Sequence, residues 1–111
     1  MLVLDCDNTL WGGVVGEDGI SGIVLGQDGV GTAYVDFQKE IVKLTNNGVV
    51  VVLASKNNDK DVWDVFDNHV EMKLKRDHIV TSKINWNEKA LNVQEIAKEL
   101  DLGLDSFVFW D

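Results

Sequence analysis

The chain of 111 residues has no proline and a single cysteine. One thiol, Cys6, cannot close an internal disulfide, so nothing demands an oxidising compartment and a reducing cytoplasm is the default. Basic residues are scarce: ten Lys and Arg stand against nineteen Asp and Glu, for a formal charge of −9. That balance speaks against general binding to nucleic acid or to anionic membrane surfaces, both of which need a basic face. It leaves room for a phosphorylated substrate, because a metal and a few local donors can reverse the potential inside a cleft. No apolar run approaches the length of a membrane span. No basic residue precedes the apolar start, so the N-terminus does not read as a signal peptide. The two histidines, His69 and His78, lack a second His or Cys at ligand spacing, which argues against zinc.

What is present points to a packed globular domain. Hydrophobic residues make up 45% of the chain, with four Trp and four Phe, enough for one modest core and at most one domain. The Trp residues are spread over separate segments and read as core or interface bulk rather than a base-stacking platform. The most informative stretch is Leu4-Asp5-Cys6-Asp7-Asn8-Thr9. Met1 to Leu4 is apolar, like a short buried strand of a parallel sheet, and active sites are built where such strands end. In an extended chain Asp5 and Asp7 point the same way, roughly 7 Å apart at their Cα atoms. Two carboxylates that close repel unless a cation or proton lies between them, and Mg²⁺ takes hard oxygen ligands of this kind. An acidic turn after a strand is the other reading, since Asp and Asn favour turns.

The rest of the chain bears on that choice. Between Thr9 and Thr32 a Gly-rich segment with β-branched residues and two turn signals, Glu17-Asp18-Gly19 and Gln27-Asp28-Gly29, predicts a β-hairpin or two beside the first strand. Tyr34, Phe37, Ile41 and Leu44 fall at helical steps and predict an amphipathic helix over 33–47, closed by Gly48. The run 49–54 predicts a second buried strand ending at Ser55. Asn57-Asn58-Asp59 can cap a helix that turns Val62, Val65 and Phe66 inward. A short third strand is expected over 78–81, and a helix over 87–100 with Val93, Ile96, Ala97 and Leu100 on one face, stopping at Gly103. A fourth strand over 106–110 leads into Asp111. This alternation predicts an α/β fold, a three-layer Rossmann-like parallel sheet with right-handed crossovers. Asp5 and Asp7, Ser55 and Asp111 then all fall at carboxyl ends of strands, along the edge where ligands bind. Those coincidences favour the catalytic reading of the acidic pair.

In this order the sequence resembles the haloacid dehalogenase-like (HAD) superfamily: Asp5-x-Asp7-x-Thr9, Ser55 after an apolar strand, Lys89 at a helix start and Asp111 after another apolar strand. The segments Asp7 to Gly19, Ser55-Lys56-Asn57-Asn58, Ile84-Asn85-Trp86 and Leu102 to Phe107 look more narrowly like the FkbH-like branch, associated with modular polyketide assembly. The resemblance implies a HAD-like catalytic domain over residues 1–111 with Mg²⁺ held by Asp5, Asp7 and Asp111. It makes Asp5 the nucleophile that forms an aspartyl-phosphate and Asp7 the acid and base, with its main-chain carbonyl on the metal. Lys89 would neutralise the transferring phosphoryl group, with Lys83 as its competitor. Thr9, Ser55, Lys56 and Asn57 would bind phosphate, Ser55 just before a helix N-terminus. For the branch, the implied substrate is a glyceryl donor like 1,3-bisphosphoglycerate, and the implied partner an acyl carrier protein.

The chain also departs from the pattern. Relatives usually continue past Asp111 with another Asp and then Asn-Pro, and carry proline near Asn87-Glu88 and His69-Val70; none is present here. Strand residues at Met1 and a stop at Asp111 predict a fragment or module of a longer polypeptide, truncated at its C-terminus. The short intervals leave no room for a cap domain. Cys6 has two readings, a small core residue or the thiol that carries an acyl group, although flanking carboxylates disfavour a thiolate. Three functions stay open: glyceryl transfer to a carrier protein, a simple Mg²⁺-dependent phosphomonoester phosphatase, and a domain that docks without turnover. An open edge at the fourth strand also predicts a possible homodimer.

Overall fold

A computed structural model of the chain describes residues 1–26 and 28–110. Four strands, β1 (Leu2–Leu4), β2 (Val51–Lys56), β3 (Ile79–Asn85) and β4 (Val108–Trp110), form one sheet. Its order is β3-β2-β1-β4 and every pairing is parallel. Between the strands run four helices: α1 (Val15–Asp18), α2 (Val30–Asn46), α3 (Asp59–Asn68) and α4 (Lys89–Leu100). Among the described residues no helix is long and apolar enough to cross a membrane.

The continuous apolar strands are explained by burial on both faces. Side chains alternate across a strand, so Leu2, Leu4, Val51 and Leu53 join one core with Val35 and Ile41 of α2 and Val62, Val65 and Phe66 of α3. Val3, Val52 and Ala54 join a second core with Val93, Ile96 and Ala97 of α4 and with Phe107. The result is three layers, as predicted. Because β2 and β3 lie on one side of β1 and β4 on the other, the strand order reverses beside β1, where doubly wound sheets open a ligand crevice at the strands' carboxyl ends.

Several boundaries differ from the sequence reading. The predicted strand start at Val49 belongs to the end of α2: the Val49 N–H donates to Leu44 O at 3.0 Å and the Gly48 N–H to Thr45 O at 3.1 Å. Gly48 turns the chain at φ 90°, a conformation that glycine adopts freely. The same motif ends α4 at Asp101 (φ 56°), before Gly103, with Leu102 N–H on Ala97 O at 2.9 Å. β3 is longer than 78–81 because it is the outer strand beside β2, where Thr81, Ser82 and Lys83 need only partial burial. On α2, Leu44 is exposed and the fully buried Gln38 takes its place in the stripe. Its Nε2 donates to Leu10 O at 2.7 Å while Oε1 accepts the N–H groups of Lys73 (2.8 Å) and Leu74 (3.1 Å). A buried amide costs little when all its bonds are made, and this one ties three segments together.

The predicted hairpin after β1 is replaced by a strap. Its described residues hold the single turn of α1 and one antiparallel bridge, in which Gly12 and Val24 exchange N–H···O bonds of 2.9 and 2.8 Å. The glycine-rich backbone satisfies itself in local turns: Asp18 N–H reaches Val14 O at 2.8 Å, Gly19 N–H reaches Val15 O at 2.9 Å, and Asp18 Oδ2 accepts from Val14 N–H at 3.0 Å. Gly13 sits at φ 93°, which strains any other residue, and an added Cβ there would stand 2.6 Å from that Asp18 oxygen. Ile23 and Leu25 seal the strap onto the core. With α3 and a short 3₁₀ turn at Arg76–His78 the only elements between β2 and β3, no cap domain interrupts the described residues.

Candidate active site

The carboxyl ends of β1, β2 and β3 bring most of the sequence-selected residues together. The Asp5 N–H continues the β1–β4 ladder by donating to Trp110 O at 3.2 Å. The chain then turns, with Thr9 and Leu10 N–H groups both on Cys6 O (3.1 and 2.9 Å). Asn8 takes a left-handed conformation at φ 57°, which Asn tolerates better than most residues. Its Oδ1 accepts from Gly13 N–H at 2.8 Å and so fixes the start of the strap.

The two carboxylates play different parts. Asp5 Oδ1 accepts from the Cys6 N–H at 2.7 Å, and Oδ2 lies 3.4 Å from Lys89 Nζ across 84 residues of sequence. This pair is about 70% shielded from solvent, with side-chain exposures of 29% for Lys89 and 28% for Asp5. Asp7 is held more tightly. Its Oδ1 accepts from the Trp11 indole N–H and the Val15 N–H, both at 3.0 Å, and its Oδ2 accepts from Asn57 Nδ2 at 2.8 Å. The ring of Trp11 is fully buried and meets Phe66 edge-on at 6.5 Å. Trp11 and the start of α1 are therefore part of the site, which sequence reasoning missed. The four-residue step from Asp7 to Trp11 was the available signal.

The remaining selected residues divide. Lys89 reaches Asp5, whereas its competitor Lys83 pairs with Glu99 at 3.7 Å. Asn57 is buried against Asp7, with its Oδ1 on the Asn58 N–H at 2.9 Å. Thr9 is buried in the turn. Lys56 points instead to Glu88, at 3.2 Å in an exposed pair. Asp111 lies outside the described residues. Ser55 is buried at the end of β2, with its side chain beside the Cys6 thiol.

The position of Cys6 bears on the acyl-carrier role. The thiol has no solvent exposure. Burial, aided by the negative charges of Asp5 and Asp7, pushes its pKa far above the usual thiol range, while the Ser55 side chain and Lys89 pull only partly the other way. A covalent carrier needs an accessible thiolate, so the carrier expectation is at odds with this environment and the core reading fits it. Both histidines are engaged in turns: His69 Nδ1 accepts from Glu71 N–H at 3.1 Å and His78 Nδ1 from Lys75 N–H at 2.8 Å.

The donor set suits a hard cation. The Asp5 and Asp7 carboxylates stand just past the carboxyl end of β1, both histidines are engaged in turns and the Cys6 thiol is buried, a set that favours Mg²⁺ over zinc. Among the described residues no cluster of three or more His, Cys, Asp or Glu side chains converges, so further ligands would come from Asp111, water or substrate.

No family model and no curated protein matches the chain. A solved structure does: the N-terminal part of the protein BF1531 from Bacteroides fragilis, described as containing a phosphatase domain complexed with Mg. The two share 44% sequence identity at a TM-score of 0.96 over 99% of this chain. The chain spans 30% of that solved one.

Proposed function

We propose that this chain is an Mg²⁺-dependent phosphatase-type domain of the haloacid dehalogenase-like superfamily, acting on a phosphorylated substrate through a covalent intermediate on Asp5. The observation that carries this is the Lys89–Asp5 pair, 3.4 Å across the carboxyl edge of the sheet. The description of the solved relative supports both the reaction class and the cation.

Asp5 attacks phosphorus with a carboxylate oxygen; the new O–P bond forms as the bond to the leaving oxygen breaks. Asp7 gives that oxygen its proton. In the second step water attacks the aspartyl-phosphate, passes a proton to Asp7, and the Asp5 O–P bond breaks to release phosphate. Three donors hold Asp7 in one orientation for this exchange. A carboxylate offers about four lone-pair directions, and Trp11, Val15 and Asn57 occupy three of them. The free direction on Oδ2 is where a proton is held and delivered. Lys89 offsets the negative charge of Asp5 and of the incoming phosphoryl group. Ser55 and Thr9, with the backbone at the start of α3, offer hydrogen bonds to phosphoryl oxygens. When bound, Mg²⁺ supplies Lewis-acid stabilisation of phosphoryl charge, held by the Asp5 carboxylate, the Asp7 carbonyl and Asp111.

The finer reading is the FkbH-like one: phosphate release from a 1,3-bisphosphoglycerate-like donor with the acyl group passing to an acyl carrier protein. The open, capless edge favours it, because a substrate borne on a protein needs unobstructed access. With the thiol buried, the acyl acceptor in this version lies outside the chain rather than at Cys6.

Colorimetric assay of phosphate release from p-nitrophenyl phosphate tests the core of the proposal. Release should require Mg²⁺, stop on adding EDTA and vanish in Asp5→Asn; persistence in EDTA or in that variant would sink it. Absence of any release would leave the domain a docking module. A carrier-bound acyl product, detected by mass spectrometry with the bisphosphoglycerate donor, separates transferase from simple phosphatase.

A further inference from the structure

Two asparagines that take no part in the chemistry above connect its two ends. Asn85, the last residue of β3, accepts the Asn57 N–H on its carbonyl at 3.2 Å. Its Oδ1 accepts from the Asn87 N–H at 3.0 Å and from Asn92 Nδ2 at 2.8 Å. Asn57 in turn holds Asp7, and Asn92 lies one turn along α4 from Lys89. A chain of amides thus runs from the acid–base carboxylate to the helix that carries the lysine.

Asn92 is an odd choice for packing. It is 1% exposed, with Val93 and Ile96 of the same helix in the core, and its Oδ1 has no hydrogen-bond partner. A buried, unsatisfied amide oxygen costs about 1–3 kcal/mol, which an apolar residue here would avoid. The start of α4 is otherwise held by the exposed Lys56–Glu88 pair and by the Asn87 N–H on Asn85 Oδ1. Its N-cap residue, Glu88, makes no side-chain capping bond. Lys89 is the first helical residue, the end of a helix dipole that disfavours a cation. The Asn92–Asn85 bond is the buried-side tie between this turn and the end of β3, beside the Asn87 N–H on the same oxygen.

We propose that Asn92, braced on Asn85, is a positioning residue that sets the first turn of α4 and so holds the Lys89 ammonium at Asp5; this rests on the roles given above to Asp5 and Lys89. Displacements of about 1 Å at a reacting centre can cost on the order of a hundredfold in rate, and a flexible lysine inherits any shift of its helix.

The test uses the whole chain with Mg²⁺ and p-nitrophenyl phosphate. Asn92→Leu removes the brace and should lower kcat at least about tenfold with KM within about threefold. Asn85→Asp keeps an acceptor oxygen for both donors and should stay within about threefold of the parent in kcat. Asn85→Leu breaks the same bond from its half-buried side, should match Asn92→Leu, and serves if that variant does not fold. The double Leu variant should lose no more than either single one, since both act through one bond. In the metal-free chain the NMR signal of Lys89 Cε should move in Asn92→Leu and Asn85→Leu and stay put in Asn85→Asp. Parent-like kcat and an unmoved lysine signal in the Leu variants would overturn the proposal, as would losses that multiply in the double variant. Failure of the site reading looks different: the parent chain itself would show no Mg²⁺-dependent turnover, and the brace would then stand or fall on the lysine signal alone.

Discussion

Strands β1 and β4 are neighbours with similar sequences, Leu2-Val3-Leu4 and Val108-Phe109-Trp110, yet their surroundings are opposite. β1 is central, buried on both faces and bounded by strands on both sides. β4 forms the edge of the sheet, and all three of its residues are exposed. Apolar character therefore reports that a strand can be buried; its neighbours decide whether it is. The difference extends to chemistry. The chain leaving β1 is locked within a few residues by Cys6 O, Asn8 and Trp11, whereas an edge strand offers free backbone groups and apolar side chains to another chain.

The largest effect that would break this contrast lies at the end of β1. Asp5→Asn should reduce Mg²⁺-dependent phosphate release by about a thousandfold or more, since no second nucleophile replaces the lost carboxylate; single-turnover assays would check it. Next comes packing at the sheet centre. Leu53→Ala, in the strand paired with β1, should cost about 2–5 kcal/mol in chemical denaturation because a cavity opens in a fully buried core.

A subtler test concerns Cys6. With its pKa raised by burial, the thiol should resist a disulfide reagent at pH 8 in the native chain and react fully once guanidinium unfolds it. The sign for stability follows. The unfolded thiol loses its proton near its ordinary value of 9.0 while the folded one keeps it, so this contribution is full below that pH and declines as pH rises beyond it. A native thiol that labels readily would return the acyl-carrier role to consideration. The smallest effect belongs to β4. Phe109→Ser should change stability by less than about 1 kcal/mol and reduce self-association in sedimentation, if the open edge is where copies meet. A large destabilisation there would erase the contrast between edge and centre.

Much of the fold was legible because periodicity survives folding. Continuous apolar runs marked β1, β2 and β4, three- and four-residue steps marked the helices, and their alternation implied a parallel sheet. The carboxyl-end rule then gathered Asp5, Asp7, Ser55 and Asp111 without coordinates, and the family resemblance added Lys89. The misses have a common cause. Gln38 matters through partners far away in sequence, Trp11 and Asn92 through partners four and seven residues away, and a buried amide or indole carries no periodic mark. The strap was misread because glycine-rich backbone satisfies its hydrogen bonds equally well in local turns or in a ladder, and the Asp18 side chain tipped it toward turns.

The sequence alone determined the alternation of elements and the residue types at the strand ends, because side-chain period and local turn chemistry act over a few residues. Only the tertiary structure decided that Lys89 rather than Lys83 faces Asp5, that Asp7 is gripped by three donors, and that the Cys6 thiol is sealed in the core. Lys89, Asn57 and the seal over Cys6 depend on which distant segments the sheet order brings together, and no local pattern encodes that.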